Sequence, residues 1–183
     1  MSISAAEAMA IHAQADCLVS SEEISQAYDN MAEAISEVLA DKTPLVLCVM
    51  RGGLVPTGQL LNRMDFPLEI DYIHATRYGM ALKGGEIEWR VRPASEIAGR
   101  HVLIIDDIFD EGHTLQAIYN TLSNGGAAKV YTATLINKLH NRKVDFQPDF
   151  IGVEVEDRFL YGCGMDYQGY FRNLNAIYAV RGH

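Results

Sequence analysis

Residues 44–50, PLVLCVM, are apolar at every position. A strand with one wet face alternates apolar and polar residues. An unbroken run is what a strand covered on both faces looks like, and parallel sheets with helices on either side provide that cover. HVLII at 101–105 has the same character. The intervening segments supply the helices. In 20–40, Ile24, Ala27, Tyr28, Met31, Ile35, Val38 and Leu39 recur at helical spacing, with Ser20 and Glu23 placed for a capping box. LVPTGQLLNRM (54–64) and 113–123 read as further helices. PLEIDYIHA (67–75), with Leu68, Ile70 and Tyr72 alternating toward one face, and 129–136 read as strands, followed by apolar segments near 150–155 and 176–180. KGGE (83–86) looks like a reversal, either a hairpin or a mobile excursion. This strand–helix alternation predicts an α/β fold with a parallel sheet. With no repeat or linker in 183 residues, one domain spanning 1–183 is expected.

Composition narrows the functional classes. A formal net charge of −9, from 15 basic and 24 acidic residues, argues against the broad basic footprint of a nucleic-acid binder. Cys17, Cys48 and Cys163 are scattered without C-x-x-C spacing, which points to a reducing compartment and to three small buried hydrophobes rather than disulfides or zinc. The start, MSISAAEAMA, lacks a basic region followed by a long apolar core, and LVLCVM is too short to span a bilayer, so no membrane association and a cytoplasmic location are expected.

Chemistry concentrates in HVLIIDDIFDEGHTL, 101–115, where Asp106, Asp107, Asp110 and Glu111 fall within six positions. Such a cluster is retained where a cation, hydroxyl donors or a helix N-terminus offsets the repulsion. In open α/β sheets ligands gather beyond the carboxyl ends of strands, which is where these acids stand. Gly112 permits close backbone approach, Thr114 offers a hydroxyl, and a helix beginning near His113 presents free N–H groups to an anion. The competing reading is a solvated acidic turn with Asp110 as helix cap.

The segment resembles the phosphoribosyl pyrophosphate (PRPP) motif of the type I phosphoribosyltransferases: an apolar strand, two acids, two apolar residues, Asp, a variable residue, Gly, a variable residue, Thr. That resemblance implies the family fold, a parallel sheet flanked by helices with a small hood, here from the N-terminal region and the C-terminal tail, and a flexible loop. It implies that Asp106 and Asp107 hold the ribose hydroxyls and Mg2+, that Asp110, Glu111, Gly112, His113 and Thr114 cradle the 5′-phosphate, and that Asp110 exchanges a proton with the base. Glu111 stands where the family commonly has Thr or Ser, and is expected to point outward. His113 fills a variable position often held by Lys.

Further stretches resemble the hypoxanthine-guanine branch of that family, in the right order. MRGG (50–53) matches its pyrophosphate loop, with Arg51 and Gly52 as contacts and a cis peptide allowed before Arg51; an ordinary glycine turn would look the same. Thr76, Arg77 and Tyr78 resemble the start of the loop that closes over the reacting centre, though a plain hairpin fits equally. Lys138, otherwise a solvated charge, would bind the O6 of a 6-oxopurine. Phe159 would stack on the base and Leu160 offer its backbone, Asp166 would join a second Mg2+, and Arg172 would contact pyrophosphate. Tyr161, Tyr167, Tyr170 and Phe171 read as core. The implied reaction joins hypoxanthine or guanine to PRPP, giving IMP or GMP and pyrophosphate, in a homodimer or homotetramer. Other readings stay open: a xanthine-preferring or pyrimidine transferase, a nucleotide-sensing RNA-binding regulator on the same fold, and a non-catalytic interaction module.

Overall fold

The structure is a computed structural model describing residues 3–77 and 87–182. Its elements are α1 (Ala5–His12), β1 (Asp16–Val19), α2 (Ser21–Leu39), β2 (Leu45–Val49), α3 (Leu54–Leu61), β3 (Glu69–Arg77), β4 (Ile87–Val91), β5 (His101–Phe109), α4 (His113–Asn124), β6 (Lys129–Leu139), β7 (Phe150–Glu156), β8 (Leu160–Tyr161) and β9 (Ile177–Ala179).

Six strands form the main sheet in the order β4-β3-β2-β5-β6-β7. β3, β2, β5, β6 and β7 are parallel to their neighbours, and β4 adds an antiparallel edge on β3. The unbroken apolar runs have the expected cause. On β2, Val46 belongs to a buried cluster with Leu60 of α3 and Ile24, Tyr28, Met31 and Ile35 of α2, while Leu45, Leu47 and Val49 belong to a cluster on the other face with Leu115, Ile118 and Leu122 of α4. On β5, Leu103 and Ile105 join the first cluster and Val102 and Ile104 the second. Each such aliphatic side chain, removed from water, contributes about 1.5–3 kcal/mol before conformational entropy is counted. The Ser20–Glu23 capping box starts α2 as its sequence predicts, with Ser20 N–H donating to Glu23 at 2.8 Å and Glu23 N–H to Ser20 at 3.3 Å.

A second, three-stranded sheet in the order β1-β9-β8 is antiparallel and joins the two ends of the chain. Arg158 donates to Asp16 at 2.7 Å and to the Val180 carbonyl at 3.1 Å, tying the same two ends. His12, Tyr161, Phe171 and Tyr178 form an aromatic cluster beneath it.

Ile70 and Tyr72 share a face of β3 as their alternation indicates, and at 56% and 49% exposure it is the open one; Ile73 and Ala75, on the other face, are buried. Two sequence expectations need correction. Cys17 is exposed on the short β1, so only Cys48 and Cys163 are buried hydrophobes. Tyr161 is fully buried, whereas Tyr170 is 36% exposed at the surface. The stretch KGGE and Tyr78 lie outside the described residues.

Candidate active site

The direction in which strands are added reverses between β2 and β5, the place where an open α/β sheet leaves a crevice at its carboxyl edge. Two cavities occupy that edge. One, of about 370 Å3, is lined by Met50, Gly52, the acids 106, 107, 110 and 111, and by Gly112, His113 and Thr114. The other, of about 280 Å3, is lined by Lys138, Phe159, Leu160, Asp166 and Arg172. Both include Asp107, Ile108 and Asp110, so the two form one bent cleft that turns at the end of β5.

Asp106 and Asp107 are adjacent on β5, and Asp107 N–H donates to Asp106 Oδ1 at 2.9 Å. Asp107 is only 9% exposed. Burial, followed by the neighbouring Asp107 charge, pushes the Asp106 carboxyl well above the usual carboxylate range. Burial raises Asp107 as well, partly countered by its hydrogen bond with Asp106 and by the Arg172 charge. The packing around Asp107 leaves no room for a side chain at Gly52, where an added Cβ would overlap the carboxylate. Gly52 follows a cis peptide between Met50 and Arg51. The Arg51 side chain is exposed; its neighbours Met50 and Gly52 line the cleft.

Helix α4 has Gly112, at φ 86°, as its N-cap and no side-chain cap, which removes Asp110 from the cap role. The left-handed glycine turns the chain so that the first-turn N–H groups of α4, which have no intrahelical acceptor, meet the cleft. Glu111 is half-exposed, its carboxylate 3.7 Å from His113 Nε2 and its carbonyl accepting from Val144 N–H at 2.9 Å.

In the second limb, Lys138 lies 3.4 Å from Asp110 Oδ2 and 3.1 Å from Asp157 Oδ1. Hydrogen bonds from Arg142 and then Lys138 hold Asp157 down at about 2. Phe159 is 48% exposed beside Lys138, and Leu160 is buried on β8. Arg172 bonds the Gly164 carbonyl and Asp166 Oδ1, and Gly169 N–H donates to Asp166 Oδ2 at 2.7 Å. Thus β5, the turn after β2, the end of β6 and the segment after β7 converge on one cleft. Thr76 and Arg77 end β3, paired with Glu88 and Ile87. The sequence reading missed Asp157, Arg142 and His140. Their signal was present in position alone, since Asp157 directly follows β7 and His140 directly follows β6.

Fold and cleft together define an α/β protein with a carboxylate-rich crevice at its sheet's switch point. A phosphoribosyl transferase domain matches residues 16–168, and the chain belongs to the phosphoribosyl transferase family. A hypoxanthine-guanine phosphoribosyltransferase of Lactococcus lactis subsp. lactis is 34% identical over 158 residues, 86% of this chain and 86% of that protein. A hypoxanthine-guanine-xanthine phosphoribosyltransferase of Tritrichomonas foetus is 32% identical over 161 residues, 87% of this chain and 88% of that protein. The solved structure of a hypoxanthine phosphoribosyltransferase from Staphylococcus aureus superposes with a TM-score of 0.86 at 27% identity, covering 91% of each chain.

Proposed function

We propose that the protein is a purine salvage enzyme that transfers ribose 5-phosphate from PRPP to N9 of hypoxanthine or guanine, yielding IMP or GMP and pyrophosphate. The observation that carries this reading is the bent cleft. It has a buried carboxylate pair at its corner, a glycine-capped helix N-terminus in one limb, and a lysine beside an exposed aromatic ring in the other. The relatives' names support the same reaction. Incubating the protein with PRPP, Mg2+ and a panel of bases tests it: nucleotide and pyrophosphate should form from hypoxanthine and guanine, and absence of turnover with every purine would defeat it.

Each limb then has a role. The N–H groups of α4 and the loop 110–114 receive the 5′-phosphate, with Glu111 turned aside toward His113. Asp106 and Asp107 accept from the ribose hydroxyls. Arg51, Gly52 and Arg172 face pyrophosphate. Phe159 stacks on the base, the Leu160 backbone meets its edge, Lys138 donates to O6, and Asp110 exchanges the proton at N7. Holding both ends of the substrate matters because cleavage at C1′ builds oxocarbenium charge and needs orientation more than a nucleophile.

The donor set fits Mg2+. Asp106 and Asp107 offer hard carboxylate oxygens at the corner of the cleft, and each Asp166 oxygen, though engaged by Arg172 or Gly169, retains a lone pair for a cation or its waters. The chemistry a bound Mg2+ supplies there is neutralisation of the departing pyrophosphate.

Replacing both Asp106 and Asp107 by Asn should weaken Mg2+-dependent PRPP binding by about tenfold or more, as losing one charged hydrogen bond does. The same variant should make the ligand-free protein more stable. A carboxyl with a raised folded pKa stabilises the fold below its unfolded value of about 3.9, and that contribution is lost as pH rises through the folded value. At pH 7 the wild type therefore carries a penalty that Asn removes. A Tm increase of roughly 2–4 °C corresponds to about 1 kcal/mol in a chain this size. Calorimetric titration and a thermal melt check both; unchanged PRPP affinity with or without Mg2+ in the two proteins would end the assignment.

The protein is further proposed to be cytoplasmic and to form a homodimer or homotetramer. No described helix is long and apolar enough to cross a membrane. Leu54, Ile70 and Tyr72 expose 57%, 56% and 49% of their surface around a hollow of about 560 Å3 whose other walls include Met50, Cys48 and Leu61. Contiguous apolar surface of this kind marks an association face. Ile70→Lys combined with Tyr72→Lys should yield monomers by sedimentation; an unchanged oligomer places the contact elsewhere.

A further inference from the structure

Asp110 has a second partner besides Lys138. His140, just past the end of β6, brings Nε2 to 2.6 Å from Asp110 Oδ1, and its side chain is 4% exposed against 46% for Asp110. The ring's other nitrogen is also engaged, with the backbone N–H of Arg142 directed at Nδ1 from 3.2 Å. A backbone N–H can only donate, so Nδ1 must carry its lone pair. In the neutral ring the proton then resides on Nε2, aimed at Asp110. The turn 140–142 thereby selects the tautomer that makes His140 a hydrogen-bond donor to the carboxylate.

This arrangement divides the two oxygens of Asp110. Oδ1 is occupied by a short bond from a buried ring engaged at both nitrogens. Among the described residues Oδ2 has only the long 3.4 Å contact with Lys138, and Asp110 lines both limbs of the cleft. Without the ring, a carboxylate this exposed would rotate about its terminal torsion, which is broad. The ligand atoms of Asp110, His140 and Asp157 lie within 4.8 Å of one another, a spacing a metal ion could use. However, the Lys138 ammonium already lies within 3.4 Å and 3.1 Å of the two carboxylates, and Nε2 is spent as a donor. The cluster therefore has its cation without a metal.

We infer that His140 is a positioning residue for the proton-transfer step: it pins Oδ1 of Asp110 so that Oδ2 faces N7 of the base. The inference rests on Asp110 being the proton-transfer group. In the step it serves, N9 supplies the electron pair that forms the N9–C1′ bond. The C1′–O bond to pyrophosphate breaks with its electrons leaving on that oxygen, and the N7 proton passes to Asp110 Oδ2. His140 neither gains nor loses a proton.

The test compares His140→Leu, which keeps apolar volume, with His140→Gln, whose side-chain amide can donate from nearly the position of Nε2, and with Asp110→Asn. Steady-state rates with hypoxanthine and PRPP are measured together with PRPP affinity by calorimetry and with Tm. The expected result is a kcat reduced about 10- to 100-fold in His140→Leu, the scale of loss for a misplaced reacting group, with PRPP affinity unchanged and rescue to within about 3-fold in His140→Gln. Near-normal kcat in His140→Leu while Asp110→Asn is inactive would overturn the inference and leave the Asp110 role standing. Near-normal turnover in Asp110→Asn would overturn both. Equal losses in the two His140 variants, accompanied by lower Tm and weaker PRPP binding, would reduce His140 to a structural residue and also overturn it.

Discussion

Asp110→Asn should lower turnover of hypoxanthine by about 100- to 10,000-fold, the usual worth of a positioned general acid or base. The substitution keeps size and shape, and Asn can still accept from His140 through its carbonyl. What it removes is the carboxylate's ability to exchange a proton at purine N7. Because Asp110 is half-exposed and does not cap α4, whose N-cap is Gly112 with no side-chain bond, the fold should be indifferent to the change. PRPP affinity should therefore stay close to wild type while kcat falls. Turnover close to wild type with intact PRPP binding would remove Asp110 from the chemistry.

Base choice carries the second large effect. The Lys138 side chain is 13% exposed, and two of its three N–H bonds face Asp157 and Asp110, at 3.1 and 3.4 Å. The third remains for the base, and an ammonium with no acceptor suits a 6-oxo group and mismatches a 6-amino group. A buried donor deprived of its acceptor costs about 1–3 kcal/mol, and pockets with several mismatched groups discriminate by roughly 10,000-fold. Adenine should be rejected on that scale relative to hypoxanthine and guanine, and uracil should fail because it has no N7 for Asp110 to address. The measurement is kcat/KM for each base at saturating PRPP and Mg2+, in wild type and Lys138→Met. Comparable adenine and hypoxanthine values in the wild type would sink the assignment. Undiminished discrimination in the variant would move specificity to other groups while leaving the reaction class untouched.

Much of the architecture is legible locally because the two faces of a parallel sheet impose their own pattern. Residues 44–50 and 102–105 are apolar throughout since α3, backed by α2, covers one side of β2 and β5 and α4 the other. The acids at 106, 107, 110 and 111, with Gly112 and Thr114, likewise announce a ligand site. Carboxylates crowded directly after a buried strand repel one another unless a cation or hydroxyl donors meet them there, at the edge where such sheets bind ligands.

What sequence periodicity records is which residues share a face of one element; it does not record what covers that face. Ile70 and Tyr72 alternate as a buried face would, yet they lie open, and only the placement of α3 and β2 beside them decides this. Cys17 is exposed for a related reason: β1 is a short edge strand whose partner, β9, lies near the opposite end of the chain. The same holds within the cleft. Lys138, His140, Asp157 and Asp110 come from three separate strand ends, and nothing in the spacing of His140 marks it as a partner of Asp110. The parallel pairing of β5 with β6 and of β6 with β7 brings those ends to one edge of the sheet, and Arg142 N–H then fixes which nitrogen of His140 donates. The sequence alone therefore determined the strand–helix order and the chemical types gathered at the strand ends, because both are written in nearest-neighbour patterns. Which of those side chains touch, and which oxygen of Asp110 is held by His140, was decided by strand pairing across long stretches of chain, to which local spacing is blind.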